Sequence, residues 1–199
     1  LLCADEVICG YGRTGQWFGA DYFGFTPDIM TTAKGLTSGY IPMGAVLFND
    51  RIAAVLRDQG GELAHGYTYS GHPVCAAVAL ENIRILQDEN ILETCRNETG
   101  PYLAERWQAL GEHPLVGEAR IAGMVGALEL VPDKGVRRFF EDRGKVGALC
   151  RTMALKNGLI LRATNDSMLL SPPLTINRTE IDELFEKAWK SLNETAEAI

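Results

Sequence analysis

Short apolar runs alternate with amphipathic stretches along the whole chain, the rhythm of an α/β protein. Leu1 to Ile8 reads as a strand interrupted by the acidic pair Asp5-Glu6. Leu1-Leu2-Cys3-Ala4 is apolar on both faces, as in a strand from the middle of a parallel sheet. Such a strand needs neighbours on both sides, and few candidates follow. The chain is therefore expected to be the carboxyl-terminal part of a longer protein, with one sheet edge left open. Asp21 to Asp28 predicts an aromatic loop or short helix stopped by Pro27. Ile29 to Ala33 predicts a buried strand closed by Lys34, and a loop of small and polar residues follows it. Gly44 to Phe48 predicts the next strand, and Asn49-Asp50 cap a helix over Arg51 to Arg57.

Pro73 sits well at a helix start, and the helix is expected from Val74 to Gln87. A second helix is expected over Ile91 to Leu110, with Leu92, Cys95, Tyr102, Leu103, Trp107 and Leu110 spaced for one buried face. From Val116 to Val131 the period shortens to that of two strands around a glycine turn. A charged linker, Asp133 to Arg143, leads to a helix over Lys145 to Asn157 that ends at Gly158. Leu159 to Arg162 and Met168 to Ser171 read as a strand pair across the turn Asn165-Asp166. The last helix starts at Asn177 or Thr179 and runs to Glu194. Composition shifts near Asn90, which places a domain boundary between 1–90 and 91–199.

Composition narrows the classes. The 199 residues are 46% hydrophobic and carry a net charge of -7, which argues against a nucleic-acid footprint. No apolar run approaches the length of a membrane span. The five cysteines are odd in number and scattered in apolar runs, as in a cytoplasmic protein with reduced thiols.

Three features invite chemistry. Gly10, Gly12 and Gly15 match G-x-G-x-x-G, but a dinucleotide site needs a helix opening on the third glycine, and Gln16-Trp17-Phe18-Gly19 has no helical period. His65 and His72 are not at helical ligand spacing and have no further ligand beside them, so no metal is expected. Asp5 and Lys34, 29 residues apart, each end a predicted parallel strand, the edge at which open α/β sheets bind ligands. There an amine forms an imine with an aldehyde cofactor, and a carboxylate keeps a pyridinium nitrogen protonated. A solvated turn lysine and a structural salt bridge are the alternatives for this pair.

Ala4-Asp5-Glu6-Val7, Gly12-Arg13-Thr14-Gly15, Ala33-Lys34-Gly35-Leu36 and Gly66-Tyr67-Thr68-Tyr69-Ser70-Gly71-His72-Pro73 resemble, in order and spacing, blocks of the class III (ω-amino acid type) aminotransferases. The likeness continues through Gly158-Leu159-Ile160-Leu161-Arg162 and Ser171-Pro172-Pro173-Leu174. Among the branches it is closest to the diamine and ω-amine:pyruvate transaminases. The resemblance implies a fold type I transferase dependent on pyridoxal 5'-phosphate. Residues 1–90 would be part of the large domain with its mixed, mostly parallel sheet, and 91–199 a small α+β domain. It implies transfer of an amino group from an ω-amine, diamine or amino acid to pyruvate or another keto acid.

By the same resemblance, Lys34 is the Schiff-base lysine and acid/base, Asp5 pairs with the pyridine nitrogen, and Val7 packs on a ring face. Thr68 binds the phosphate from the neighbouring subunit, which implies a homodimer, or a dimer of dimers, with shared sites. Arg162 binds the substrate carboxylate as a bidentate fork. Trp17 and Tyr67 line the substrate site. The family's amino-terminal half, with its phosphate-holding helix N-terminus and a stacking aromatic residue, is not among these residues. A fragment of this extent, made alone, is expected to bind cofactor weakly and to aggregate. Decarboxylase, racemase or aminomutase chemistry on the same scaffold, and a non-catalytic fragment, are the alternatives; Arg162 favours transamination.

Overall fold

Strand β1 (Cys3–Asp5) runs parallel to β2 (Ile29–Thr32), and β3 (Ala45–Phe48) lies antiparallel on the other side of β2, giving a three-stranded mixed sheet. These strands belong to the first of two units of the computed structural model, Leu1–Leu92 and Glu93–Ile199. The structure describes residues 1–136 and 138–199.

The strand expected over Leu1 to Ile8 is shorter than its apolar pattern. It ends at Asp5 because the next residues find other partners. The Asp5 carboxylate accepts the Val7 N–H at 3.1 Å, closing a local turn. Glu6 is only 3% exposed, and its two carboxylate oxygens accept the N–H groups of Gly19 and Ala20 at 2.8 and 2.7 Å. Those are the first amides of α1 (Gly19–Phe23), so a buried carboxylate satisfies the donors that a helix start leaves open. Among the described residues β1 has β2 as its one neighbour, and Leu1 and Leu2 are exposed.

Asp28 ties the entry of β2 to its surroundings. Its carboxylate accepts from Leu2 N–H (2.8 Å), the Asn49 amide (2.9 Å) and the Arg51 guanidinium (2.7 Å). These bonds, the Leu2 N–H first, favour the ionised form and lower its pKa to about 2. Asn49 also caps α2 (Asp50–Gln59) through the Ile52 N–H, as its residue type predicts. Residues 57 to 74 are exposed throughout, and α3 (Pro73–Asp88) follows with Pro73 in its first turn.

In the second unit the helix expected over Ile91 to Leu110 is broken. Helix α4 (Ile91–Thr94) passes into a π-helical turn, Cys95–Thr99, before α5 (Gly100–Ala109). Pro101 has no N–H to donate into the ordinary ladder, and the Gly100 N–H reaches back five residues to the Cys95 carbonyl. A Cβ on Gly100 would collide with that carbonyl. Strands β4 (Val116–Ala122) and β5 (Val125–Leu130) form the expected hairpin. Helix α6 (Lys145–Lys156) precedes β6 (Arg162–Thr164) and β7 (Ser167–Leu170), and the four strands lie antiparallel in the order β4-β5-β7-β6. The segment of the predicted charged linker carries no helix or strand among its described residues; Arg137 lies outside them.

Strand β6 begins at Arg162 rather than Leu159, because the preceding residues finish α6. Gly158 adopts φ +74°, its N–H reaches Leu155 O, and the Leu159 N–H bonds Ala154 O at 2.8 Å. The Asp166 carboxylate, 3% exposed in the β6–β7 turn, accepts the N–H groups of Gly144 (2.8 Å) and Gly147 (2.9 Å) and so caps α6 from a distance. Helix α7 (Arg178–Ala196) opens on a reciprocal Asn177–Glu180 capping box. Leu103, Trp107, Leu110, Leu128, Met168 and Leu192 form the core of this unit, all nearly inaccessible to solvent. Among the described residues, no helix is long and apolar enough to cross a membrane.

His113 is a pH-sensitive part of this core. Its Nδ1 accepts the Leu115 N–H at 3.1 Å, its Nε2 meets the Asn193 side chain at 3.1 Å, and its ring stands edge-on to Trp189. An accepting Nδ1 must be unprotonated, and burial pushes the pKa below the ordinary 6.5. The unfolded chain therefore takes up a proton near 6.5 while the folded chain resists it. Stability contributed by neutral His113 is present above that pH and falls as the pH drops below it. Thermal unfolding between pH 7.5 and 5 should show Tm falling on acidification, with a shallower fall in His113→Asn; equal slopes would contradict this assignment.

Candidate active site

The parallel pairing of β1 with β2 brings two reactive residue types to one sheet edge. In register, Cys3 faces Ile29, Ala4 faces Met30 and Asp5 faces Thr31, so both strands deliver their carboxyl ends together. Lys34 leaves β2 two residues after Thr32, in a single 3₁₀ turn, Lys34–Leu36. Asp5 and Lys34 are both exposed, so each presents its charge to the space outside the sheet edge. Asp5 accepts from the Thr31 hydroxyl at 3.5 Å as well as from Val7 N–H, which orients the carboxylate. Neither residue forms an ion pair among the described residues, so the salt-bridge alternative does not describe this pair.

The backbone at Lys34 is strained. Its φ is +42°, in the left-handed region, where a residue with a Cβ is disfavoured by roughly 1–2 kcal/mol. The surroundings hold it there. The Lys34 carbonyl accepts the N–H groups of Thr37 (3.2 Å) and Gly39 (3.3 Å), and the buried Thr37 hydroxyl donates to Ile41 O at 2.6 Å. Non-glycine residues kept in such conformations concentrate at functional sites.

The glycine-rich loop has a packing role here. A Cβ on Gly35 would stand 2.9 Å from the Gly10 carbonyl and 3.1 Å from Tyr11 Cβ, so the Lys34 turn and the loop touch backbone to backbone. Tyr11, 7% exposed, donates its hydroxyl to Thr32 Oγ1 at 3.3 Å and sets its ring edge-on to Phe18. No helix opens at Gly15, and α1 begins four residues later, so the dinucleotide geometry is not formed. Cys9, in the same loop, has its thiol pKa raised by burial first and then by the nearby Glu6 and Asp5 charges, which keeps it a neutral thiol.

The other predicted residues fall in different places. Val7 and Trp17 are half-buried in the segments flanking this loop, and the Trp17 carbonyl accepts the Tyr11 N–H at 2.6 Å. Tyr67, 78% exposed, and Thr68 lie in the exposed 57–74 stretch. There Tyr67 makes a turn with Ser70, its N–H donating to the Ser70 hydroxyl at 3.0 Å. Among the described residues no hydrogen bond joins either to Asp5 or Lys34. Arg162 is the exposed first residue of β6, in the second unit, paired in register with Leu169. No group of three or more metal-ligating side chains occurs among the described residues.

Pattern reading missed Glu6 as the buried anchor of α1. It also missed Asn82 of α3, whose side chain reaches the Lys34 turn. Asn82 interrupts the apolar face that Ala79, Ile83 and Leu86 mark on that helix, which was the available signal.

The chain matches the family model for aminotransferase class-III over residues 1–192. It is 61% identical over 199 residues to a putrescine–pyruvate aminotransferase of Pseudomonas aeruginosa, covering 100% of this chain and 43% of that protein. It is 42% identical to a diaminobutyrate–2-oxoglutarate transaminase of Halomonas elongata, again over 100% of this chain and 44% of the relative. The crystal structure of an omega transaminase from Pseudomonas jessenii in complex with PMP superposes with a TM-score of 0.95 at 40% identity, covering 100% of this chain and 45% of that one. The chain thus spans under half the length of the relatives it matches.

The packing at Gly35 gives a direct test. Gly35→Ala should destabilise the protein by about 1–3 kcal/mol through overpacking, whereas Gly66→Ala, where a Cβ meets nothing within 4 Å, should stay within about 0.5 kcal/mol. Urea unfolding of both variants measures this, and equal effects would contradict the close approach.

Proposed function

The chain belongs to the class III aminotransferases, and from that premise we propose that the protein carrying it moves an amino group from a diamine or other ω-amine to pyruvate or a related keto acid. The observation that carries the proposal is the meeting of Asp5 and Lys34 at one parallel sheet edge, with Lys34 in a strained, well-held turn.

The family depends on pyridoxal 5'-phosphate, and the residues at this edge suit the ring end of that group: an amine without a salt bridge and an oriented, exposed carboxylate. When bound, the cofactor supplies an electron sink that makes the proton on the amine-bearing carbon of the substrate acidic. Lys34 Nζ would be the amine that holds the group through its carbonyl carbon, and the same nitrogen, when free, would accept and return the proton that moves during amino transfer. Asp5, held by Thr31 and Val7, would face the pyridine nitrogen and favour its protonated form. Val7, two residues on, would pack against the ring.

Arg162 presents a planar, permanently charged fork at the start of β6 and is assigned the carboxylate of the keto acid. Tyr67 and Trp17 are assigned the apolar lining of the substrate site. Thr68, in the exposed 57–74 stretch, is assigned the cofactor phosphate of a neighbouring subunit, which makes the protein a homodimer or a dimer of dimers. The exposed apolar residues of the first unit, among them Val46, Leu47, Phe48, Val74 and Leu80, support burial against further protein. The five free cysteines fit a reducing cytoplasm. Transamination is favoured over other chemistry of the same cofactor because the relatives and the solved structure described above are transaminases.

The test is alanine formation from pyruvate and putrescine by the full gene product, followed chromatographically. Lys34→Ala should lose at least about 1,000-fold in turnover, and Arg162→Ala should raise KM for pyruvate at least about ten-fold while leaving KM for the diamine within about two-fold. Turnover surviving in Lys34→Ala, or equal KM shifts for both substrates in Arg162→Ala, would defeat these roles.

A further inference from the structure

Among the described residues, one side chain from outside the segment hydrogen-bonds the Lys34 turn. Asn82, on α3, donates both amide hydrogens to the turn: Nδ2 lies 2.9 Å from Gly35 O and 3.1 Å from Leu36 O. Its Oδ1 accepts the Ser38 hydroxyl at 2.6 Å, which fixes which end of the amide faces the carbonyls. The turn's three successive carbonyls are therefore all engaged: that of Lys34 by its own segment, that of Gly35 by both the Ser38 N–H (3.3 Å) and Asn82, and that of Leu36 by Asn82.

We propose that Asn82 is a positioning residue for Lys34, clamping the carbonyls that follow the lysine so that its left-handed backbone aims Nζ at one point during turnover. This rests on the reading of Lys34 as the reactive amine. Three observations point the same way. A lysine at φ +42° relaxes toward ordinary backbone unless the neighbouring peptides are pinned. The loop side of the turn is already filled by Gly10 and Tyr11, so the Asn82 side is where it can yield. The clamp also joins the turn to a 16-residue helix, a far stiffer support than the loop. Asn82 touches neither substrate nor cofactor in this role; it acts through the backbone at Lys34, where a small misplacement of a reacting atom is costly to rate.

The decisive variant is Asn82→Asp in the full gene product. It keeps shape and the acceptor for Ser38, removes both N–H donors, and sets a carboxylate against two carbonyl oxygens. With putrescine and pyruvate as probes, kcat should fall at least about ten-fold while KM for pyruvate stays within about two-fold. The pH midpoint of the bound cofactor's visible absorbance, which reports the Lys34 linkage, should move by more than about 0.5 unit while Tm changes by less than about 4 °C. Ser38→Ala, which removes only the hydroxyl that orients the amide, should lower kcat about three-fold at parental Tm. Parental kcat in either variant overturns the proposal, as does a loss of kcat that merely tracks losses of Tm and cofactor content. A parent protein without cofactor absorbance would instead defeat the underlying reading of Lys34, so the two failures are distinguishable.

Discussion

The parallel ladder between β1 and β2 is the constraint on which the rest depends. Parallel strands point their carboxyl ends the same way, so the residues that end them share one edge, and the ladder register sets Asp5 against Thr31 with Lys34 just beyond. An antiparallel pairing of the same two segments would place Asp5 and Lys34 at opposite ends. Much of the first unit serves this geometry. Glu6 ends β1 by capturing the start of α1, Asp28 locks the entry of β2, and Gly10 and Gly35 let the flanking loop press on the lysine turn.

The second unit is built on a different principle. Its antiparallel sheet and helices close over an apolar core, and its polar anchors sit at helix ends, where Asp166, Asn177 and Glu180 satisfy amides that would otherwise lack partners. Asp166 couples α6 to the turn after β6, so the strand that begins with Arg162 is fixed to the core rather than hanging from it. The first unit, by contrast, leaves Val46, Leu47 and Phe48 of β3 in solvent, together with the whole 57–74 stretch. That asymmetry is what the proposal for Thr68 on a neighbouring subunit draws on.

What the sequence made legible follows from which forces are local. The apolar run Ile29 to Ala33 and the caps at Asn49 and Asn177 rest on alternation and side-chain–backbone bonds a few residues long; both caps formed as read, while the run is strand only to Thr32 and half-buried, with Thr32 alone buried, instead of the buried strand expected. The end of β1, the π turn after Thr94 and the late start of β6 were not legible. Each depends on a competition: Glu6 with a helix 13 residues away, Pro101 with the ladder above it, and the α6 cap with the strand after it. The Asp5–Lys34 pair was suggested by spacing because a strand end is a local event. Asn82 left only a faint mark, a polar residue on an apolar helix face, because its partners lie 44, 46 and 47 positions away and its residue type carries no distinctive chemistry.

Borohydride reduction of the purified full gene product, followed by proteolysis and peptide mass mapping, shows which amine carries the cofactor. If it is Lys34, a single phosphopyridoxyl adduct lies on the peptide containing Ala33-Lys34-Gly35. An adduct on another lysine, or a cofactor-containing protein that yields none, would overturn the role given to Lys34.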